Sequence, residues 1–462
     1  VSARKIALLA LILGLGAAIE TTYSLRRHID IGPAGCRVLG GKFYGRSFRF
    51  EEPSHREIPA GTRVEVVNAF GAVRLRAGTP GVVKVVLTKT VYLEDEERAR
   101  AFAARIILRA EREGPVLRLF TNRDELERRD DVGFETSFYI EAPPDTPVGV
   151  RNEHGAVDLR EVARAEVESS FDTLEVAQIA GPVSLKNRHG NVHVSGVKGT
   201  LNLNARFGDV ELEDVEGRVT LDLQHGKASA VRLGGLYATL AHVELSVEGV
   251  GGDLEVKGEH TGVTASRVSG GASVRTSFEG VTLTAVGGEA RIRAQHGTVK
   301  ATGVKGALWA EASFGGVELE DIGGPAEVTV EHGGLHGRGL QKGARVKASG
   351  DDVDLEGFHG PLAVEADRAS VHLVPQGPLV DPVSASTRHG GIRLEVPPGS
   401  RFDLEARTQR GEIQVDVPGF TTTHSAAGSL TGNLAGGGST VRLAAVGGDL
   451  SVTARVSAAQ GP

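Results

Sequence analysis

Seven histidines recur at near-constant intervals: His154, His189, His225, His242, His260, His296 and His332. Phe171, Phe207, Phe278 and Phe314 stand between them, so that each marker lies 17 or 18 residues after the last, usually with Gly following. Imidazole is the side chain that titrates nearest neutral pH and a common metal ligand, so a regular array of it is the first place to look for metal or proton chemistry. Only His225, His242 and His260 are consecutive, and they form the metal candidate. Elsewhere a Phe intervenes, and two His would stand roughly 9.6 Å apart by strand spacing, too far to share one ion. A second set comprises Asp209, Glu211, Glu213 and Asp214, with echoes at Glu318, Glu320 and Asp321. Its chemistry would be a calcium ladder or a pair of glycosidase carboxylates.

What positions these groups is the repeat itself. A period of about eighteen residues held this long means a solenoid, each repeat one coil stacked on the next. Within a repeat such as Leu201-Asn202-Leu203-Asn204-Ala205-Arg206-Phe207, apolar residues take every second place, the mark of a strand with one buried face. Gly208-Asp209 breaks the alternation, Val210-Glu211-Leu212 resumes it, and Glu213-Asp214 breaks it again. Each coil is therefore a longer strand, a Gly corner and a shorter strand. The prediction is an all-β fold, a single-stranded parallel β-helix of roughly fourteen coils and on the order of 65 Å in length. Parallel crossovers favour a right-handed coil. A left-handed hexapeptide helix fits less well, since Val210 is followed six residues later by Glu216.

Carrying the alternation one step further places the rings inside. His225 follows Val219, Leu221 and Leu223 at two-residue steps, and His189, His260, His296 and His332 sit likewise. The expectation is a buried ladder of alternating imidazole and phenyl rings. Burial would disfavour the charged imidazole, so stability should fall below about pH 6.5. The carboxylates fall on outward positions interleaved with Lys and Arg, and read as a solvated face. No catalytic, cofactor-binding or metal-binding residue is assigned.

Around the array, residues 1–19 read as a signal peptide or N-terminal membrane anchor. Arg4 and Lys5 precede an uncharged apolar run over residues 6–19, short of the ~20 residues that span a bilayer, with Gly16-Ala17-Ala18 as a small-residue cleavage site. Residues 20–45 are a linker holding Cys36, an incidental thiol and the only cysteine, so no internal disulfide can form. An N-terminal β segment spans 46–153 and is interrupted by a helix over 94–113, with Ala101, Ala104, Ile107 and Leu108 at helical spacing. The regular solenoid covers 154–420, a Gly-rich loop 421–440, and terminal strands 441–455.

Net charge is -7 and the basic residues do not cluster, so nucleic acid is excluded as a partner. There is no nucleophile elbow, metalloprotease helix or phosphate loop. Coil length hardly varies between His154 and His332, leaving no long loops to wall a substrate groove.

The motif order carries a resemblance. Asn68-Ala69-Phe70-Gly71-Ala72-Val73 is followed by the helical insertion, then by repeated His-Gly-x-Val and Phe-Gly-x-Val. Leu394-Glu395-Val396-Pro397, Gly436-Gly437-Gly438-Ser439 and Gly447-Gly448-Asp449-Leu450 close the series. Over residues 46–455 this resembles the bacterial putative-adhesin family of exported β-strand-repeat domains of unknown function. The resemblance implies a parallel β-helix in the cell envelope, periplasmic or surface-exposed. The expected function is non-enzymatic, an adhesin-like or structural binding surface for an envelope protein or polysaccharide, held to the membrane through residues 6–19 if these are uncleaved. A self-polymerising β-helix scaffold is the alternative, and a polysaccharide-acting β-helix enzyme the third reading.

Overall fold

The computed structural model describes residues 45–455. The apolar run 6–19, the 20–45 linker up to residue 44 and Cys36 lie outside them. Among the described residues, no helix is long and apolar enough to cross a membrane.

Fourteen coils stack between Pro147 and Val396 as a parallel β-solenoid. One coil shows the construction. Val183–His189 buries Val183, Leu185 and Asn187, and Val192–Val197 buries Val192, Val194 and Val197. The three-residue step from Val194 to Val197 spans a second corner at Gly196, whose φ is +64°. The next coil repeats this in register: Val183 pairs with Leu201, Leu185 with Leu203, Val192 with Val210 and Val197 with Val215. Like therefore stacks on like, and one apolar core runs the length of the rod from Ile58 to Val452. So regular is the array that Val210–Val250 continues as 41 residues of unbroken strand.

The corners explain much of the glycine. A Cβ on Gly190 would lie 2.0 Å from the Asp172 carbonyl oxygen in the coil beneath, and Gly190 has φ +135°. Both close approach and backbone angle exclude a side chain there.

At the N-terminal end, Pro147–His154 pairs directly on Arg63–Phe70, so residues 78–146 are an excursion from the stack. Val116–Thr121 adds a parallel strand to the free edge of Arg63–Phe70, and Leu108–Glu113 pairs antiparallel beyond it. Gly133–Ala142 does the same for Val73–Ala77, followed by Val82–Leu93 and Arg46–Glu57 in antiparallel order. The outermost strand carries Pro53 and several charges, which discourages further strand addition.

The helix predicted over 94–113 is confined to Glu96–Ala103, with Asp95 accepting from the Arg98 backbone amide as its cap. Leu108–Glu113 is a strand instead, because Gly114-Pro115 turns it back onto Val116–Thr121 as a hairpin. A second, shorter helix spans Arg123–Glu127. The first helix packs on Val82–Leu93 through Ala99, Phe102 and Ala103, in a small separate core with Val91, Ile106, Leu126 and Phe134. The rod's N-terminal end is thus covered mainly by antiparallel strands.

The C-terminal end departs from sequence order. After Ile392–Val396 the chain skips one level and forms Phe402–Arg410 and Ile413–Asp416. The vacant level is filled later by Ser439–Gly447 and Leu450–Ala454, paired parallel to strands on both sides. Most of the region expected to be a loop over 421–440 is a hairpin: Ser429–Leu434 pairs antiparallel with Phe402–Arg410, and Phe420–Ala426 pairs beyond it. Phe402 is opposite Leu434 on one side and Ser439 on the other, so residues 435–438 arch over the start of its strand. Ala435, Gly436 and Gly437 make that arch with φ of +52°, +84° and +88°.

Candidate functional site

The marker rings form one continuous column. Phe70, His154, Phe171, His189, Phe207, His225, His242, His260, Phe278, His296, Phe314 and His332 stack face to face, with successive centroids 4.4 to 5.1 Å apart and planes within 20°. This spacing is that of the strands, so the column follows from in-register stacking.

The column is outside the core. Phe171, Phe207, Phe278 and Phe314 are 45%, 53%, 51% and 52% exposed, and His189, His225, His242, His260 and His332 are also exposed. The expected buried ladder is therefore overturned, and with it the desolvation on which the acid-sensitivity expectation rested. Alternation predicts side-chain direction only while the backbone stays evenly extended, and it turns at the ring even where strand pairing runs up to or through it. The last inward residue is two places earlier: Asn187, Ala205 and Leu223 are buried ahead of His189, Phe207 and His225. Phe207, His225, His242, His260, Phe278 and His332 then occupy the left-handed region at φ between +49° and +67°. After His154, Phe171, His189 and His296 the positive φ falls on the next residue instead, Gly155, Asp172, Gly190 and Gly297. In both versions the chain turns at the ring.

His225, His242 and His260 are consecutive in the column, 4.9 and 4.7 Å apart. Their nitrogen lone pairs lie in nearly parallel ring planes and point side by side, whereas a shared ion needs them to converge. Among the described residues no group of three His, Cys, Asp or Glu is placed to hold a metal ion.

The carboxylates do occupy the outer surface. Arg232 pairs with both Glu213 and Asp214 at 2.5 Å, Lys300 pairs with Glu318 at 3.2 Å, and the Glu211 carboxylate lies 3.0 Å from His193 Nε2. Asp209 accepts from the Lys227 backbone amide. Glu320 and Asp321 are exposed. Depressions on the outer face, such as the one lined by Arg291, Trp309, Glu327 and Arg345, are shallow and open.

Two supporting features were not singled out from sequence. The first is a buried polar column under the ring corners. Asn68, Asn152 and Asn187 each donate through Nδ2 to the carbonyl of the residue three ahead, Gly71, Gly155 and Gly190. Asn68 also donates to Asn152 Oδ1 and accepts from the Thr136 hydroxyl. The signal was present as Asn two places before the ring. The second is Arg123, from the excursion, whose guanidinium lies 5.1 Å from the Phe70 centroid and 4.0 Å from that of Phe134. Burial draws this guanidinium below its ordinary value, while the hydrogen bond to Glu127 works the other way. It closes the N-terminal end of the column. Nothing in the spacing of Arg123 announces this.

No family model and no curated protein matches the chain, so the putative-adhesin resemblance rests on residue pattern alone. Among solved structures, the crystal structure of a putative cell adhesion protein from Clostridium sporogenes is similar at 7% identity, over 88% of this chain and 100% of that one, with a TM-score of 0.16. A TM-score that low lends no weight to either fold or role.

Proposed function

We propose that this protein is a non-catalytic, adhesin-like binding rod, exported to the cell envelope, whose ring column is a contact edge for an extended envelope protein or polysaccharide. The observation that carries this reading is the exposure of the column. Stacking within the column stabilises the rod, but it leaves a line of half-exposed phenyl rings and imidazoles on a water-facing ridge, and contiguous apolar surface of this kind marks interaction sites. Contacts repeated at each level would add through multivalency, giving useful avidity from weak individual contacts.

The polymerising-scaffold reading is disfavoured by the ends. The outer N-terminal strand Arg46–Glu57 bears Pro53 and charges, and the outer C-terminal strand Phe420–Ala426 is polar. The polysaccharide-cleaving reading is disfavoured by the openness of depressions such as the one lined by Arg291 and Trp309. The test is capture from envelope fractions using the wild-type rod beside a Phe207→Ala/Phe278→Ala variant, with sedimentation of the free rod in parallel. Loss of the captured species in the variant supports the reading. Equal capture by both, or pelleting of the free rod as filaments, overturns it.

A further inference from the structure

The two ends of the ring column differ. At the foot, Arg123 covers Phe70 and is itself covered by Phe134. At the top, His332 stacks on Phe314 at 4.9 Å, and among the described residues no ring stacks on its other face; the next ring at this corner is His389, three levels on, whose Nδ1 lies 3.3 Å from the Asp367 carboxylate. Eighteen residues on, the ring's place is taken by Gly350, and eighteen further by Arg368. Arg368 has φ +56°, against +57° at His332, and is exposed at the same corner two levels higher. Two levels are roughly 9.6 Å by strand spacing, room for one flat ring at about 4.8 Å from each neighbour. The column itself keeps 4.4 to 5.1 Å between rings.

This chain cannot readily fill that place from its own position 350. A Cβ on Gly350 would stand 2.9 Å from the His332 Cα, and φ there is +112°. His332, Gly350 and Arg368 are all exposed, and Arg368 makes no hydrogen bond or ion pair among the described residues.

We infer that the level of Gly350 is a binding site for one electron-rich aromatic ring, the indole or phenol of a Trp or Tyr on a partner polypeptide, stacked between the His332 imidazole and the Arg368 guanidinium. The choice of ring follows from its neighbours. A guanidinium is attracted to the negative face of an aromatic ring, most strongly to indole and next to phenol. An imidazole face completes the stack as it does elsewhere in the column. A ring carrying positive charge would be repelled by Arg368. The inference deepens the proposed contact edge and rests on that reading; it assigns the edge a socket above His332.

The test is an NMR titration of the full chain with N-acetyltryptophanamide, following the His332 imidazole protons. The expected result is a saturable upfield shift with a millimolar dissociation constant, weakened at least fivefold in His332→Ala and in Arg368→Ala. Lys305→Ala, at an exposed site off the column, should bind as wild type. No saturable shift, equal affinity in the Arg368→Ala chain, or equal binding of N-acetylalaninamide would each overturn the socket. None of these outcomes bears on partner capture by the mid-column phenyl rings, so the socket and the contact edge can fail separately.

Discussion

The guanidinium of Arg123 lies 4.0 Å from the ring centroid of Phe134, and its Nη2 donates to that residue's carbonyl oxygen. One side chain thereby ties the excursion to the foot of the ring column. Arg123→Leu keeps much of the volume, loses the cation–ring attraction and strands a buried carbonyl. The expected cost is about 2–4 kcal/mol from those two terms. Urea denaturation checks the magnitude, and faster amide exchange in Gly133–Ala142 than in the coils beyond would locate it.

Phe207→Ala distinguishes an outside column from an inside one. A buried Phe reduced to Ala costs about 3–5 kcal/mol through the cavity left behind. With the ring 53% exposed and stacked on His189 and His225, loss of the two contacts should cost about 1–3 kcal/mol, toward the lower end because both pairs face water. A calorimetric or urea measurement near the larger figure would contradict the placement.

Two glycines with positive φ should respond differently to the same substitution. Gly190→Ala meets the Asp172 carbonyl at 2.0 Å, whereas at Gly61, with φ +76°, nothing lies within 4 Å of the added carbon. Gly61→Ala should lose about 1 kcal/mol from backbone strain alone. Gly190→Ala should lose several times as much because the coils must separate, and the paired urea midpoints report the difference.

Tyr92 supplies a pH dependence. Burial first, then Glu135 beside it, pushes its phenol up to about 12. The folded chain holds that proton more tightly than the unfolded one, whose phenol titrates near ~10. The stabilisation is complete below the unfolded value and is lost as pH rises through about 12. Absorbance titration of the phenolates should show a late step that is missing in Tyr92→Phe.

Deleting residues 435–462 should open the level between Val383–His389 and Phe402–Arg410. The expected outcome is rapid proteolysis and amide exchange throughout 397–434 with coils up to Val374 still protected, since each coil depends chiefly on its neighbours. Retained protection of Phe402–Arg410 would show that this strand docks without the inserted pair.

Coil number, corner glycines and inward aliphatics were legible because stacking in register forces each coil to repeat the last. Ring direction was not, because counting by twos was carried through Asn187 and Leu223 into corners where the backbone turns into the left-handed region. The hairpin Phe420–Ala426 with Ser429–Leu434 left no alternation to read: the first strand exposes nearly every residue and buries no face. The insertion at the C-terminal end was invisible for another reason. Gly447-Gly448-Asp449-Leu450 reads like any other corner, and a local pattern does not say which two levels its strands lie between. Leu108–Glu113 was assigned to the helix because its run lacked Gly and Pro, whereas the Gly114-Pro115 turn beyond it decided the pairing.

Wedging Ser439–Gly447 and Leu450–Ala454 between older levels has a mechanical side. In an ordinary stack, tension on the final coil peels it away one bond at a time from a single neighbour. Here a pull on residue 454 loads ladders on both flanks together, and Phe402–Arg410 with its hairpin must shift before the wedge can leave. A rod that holds something under flow would be secured at this end as a tenon is in a mortise.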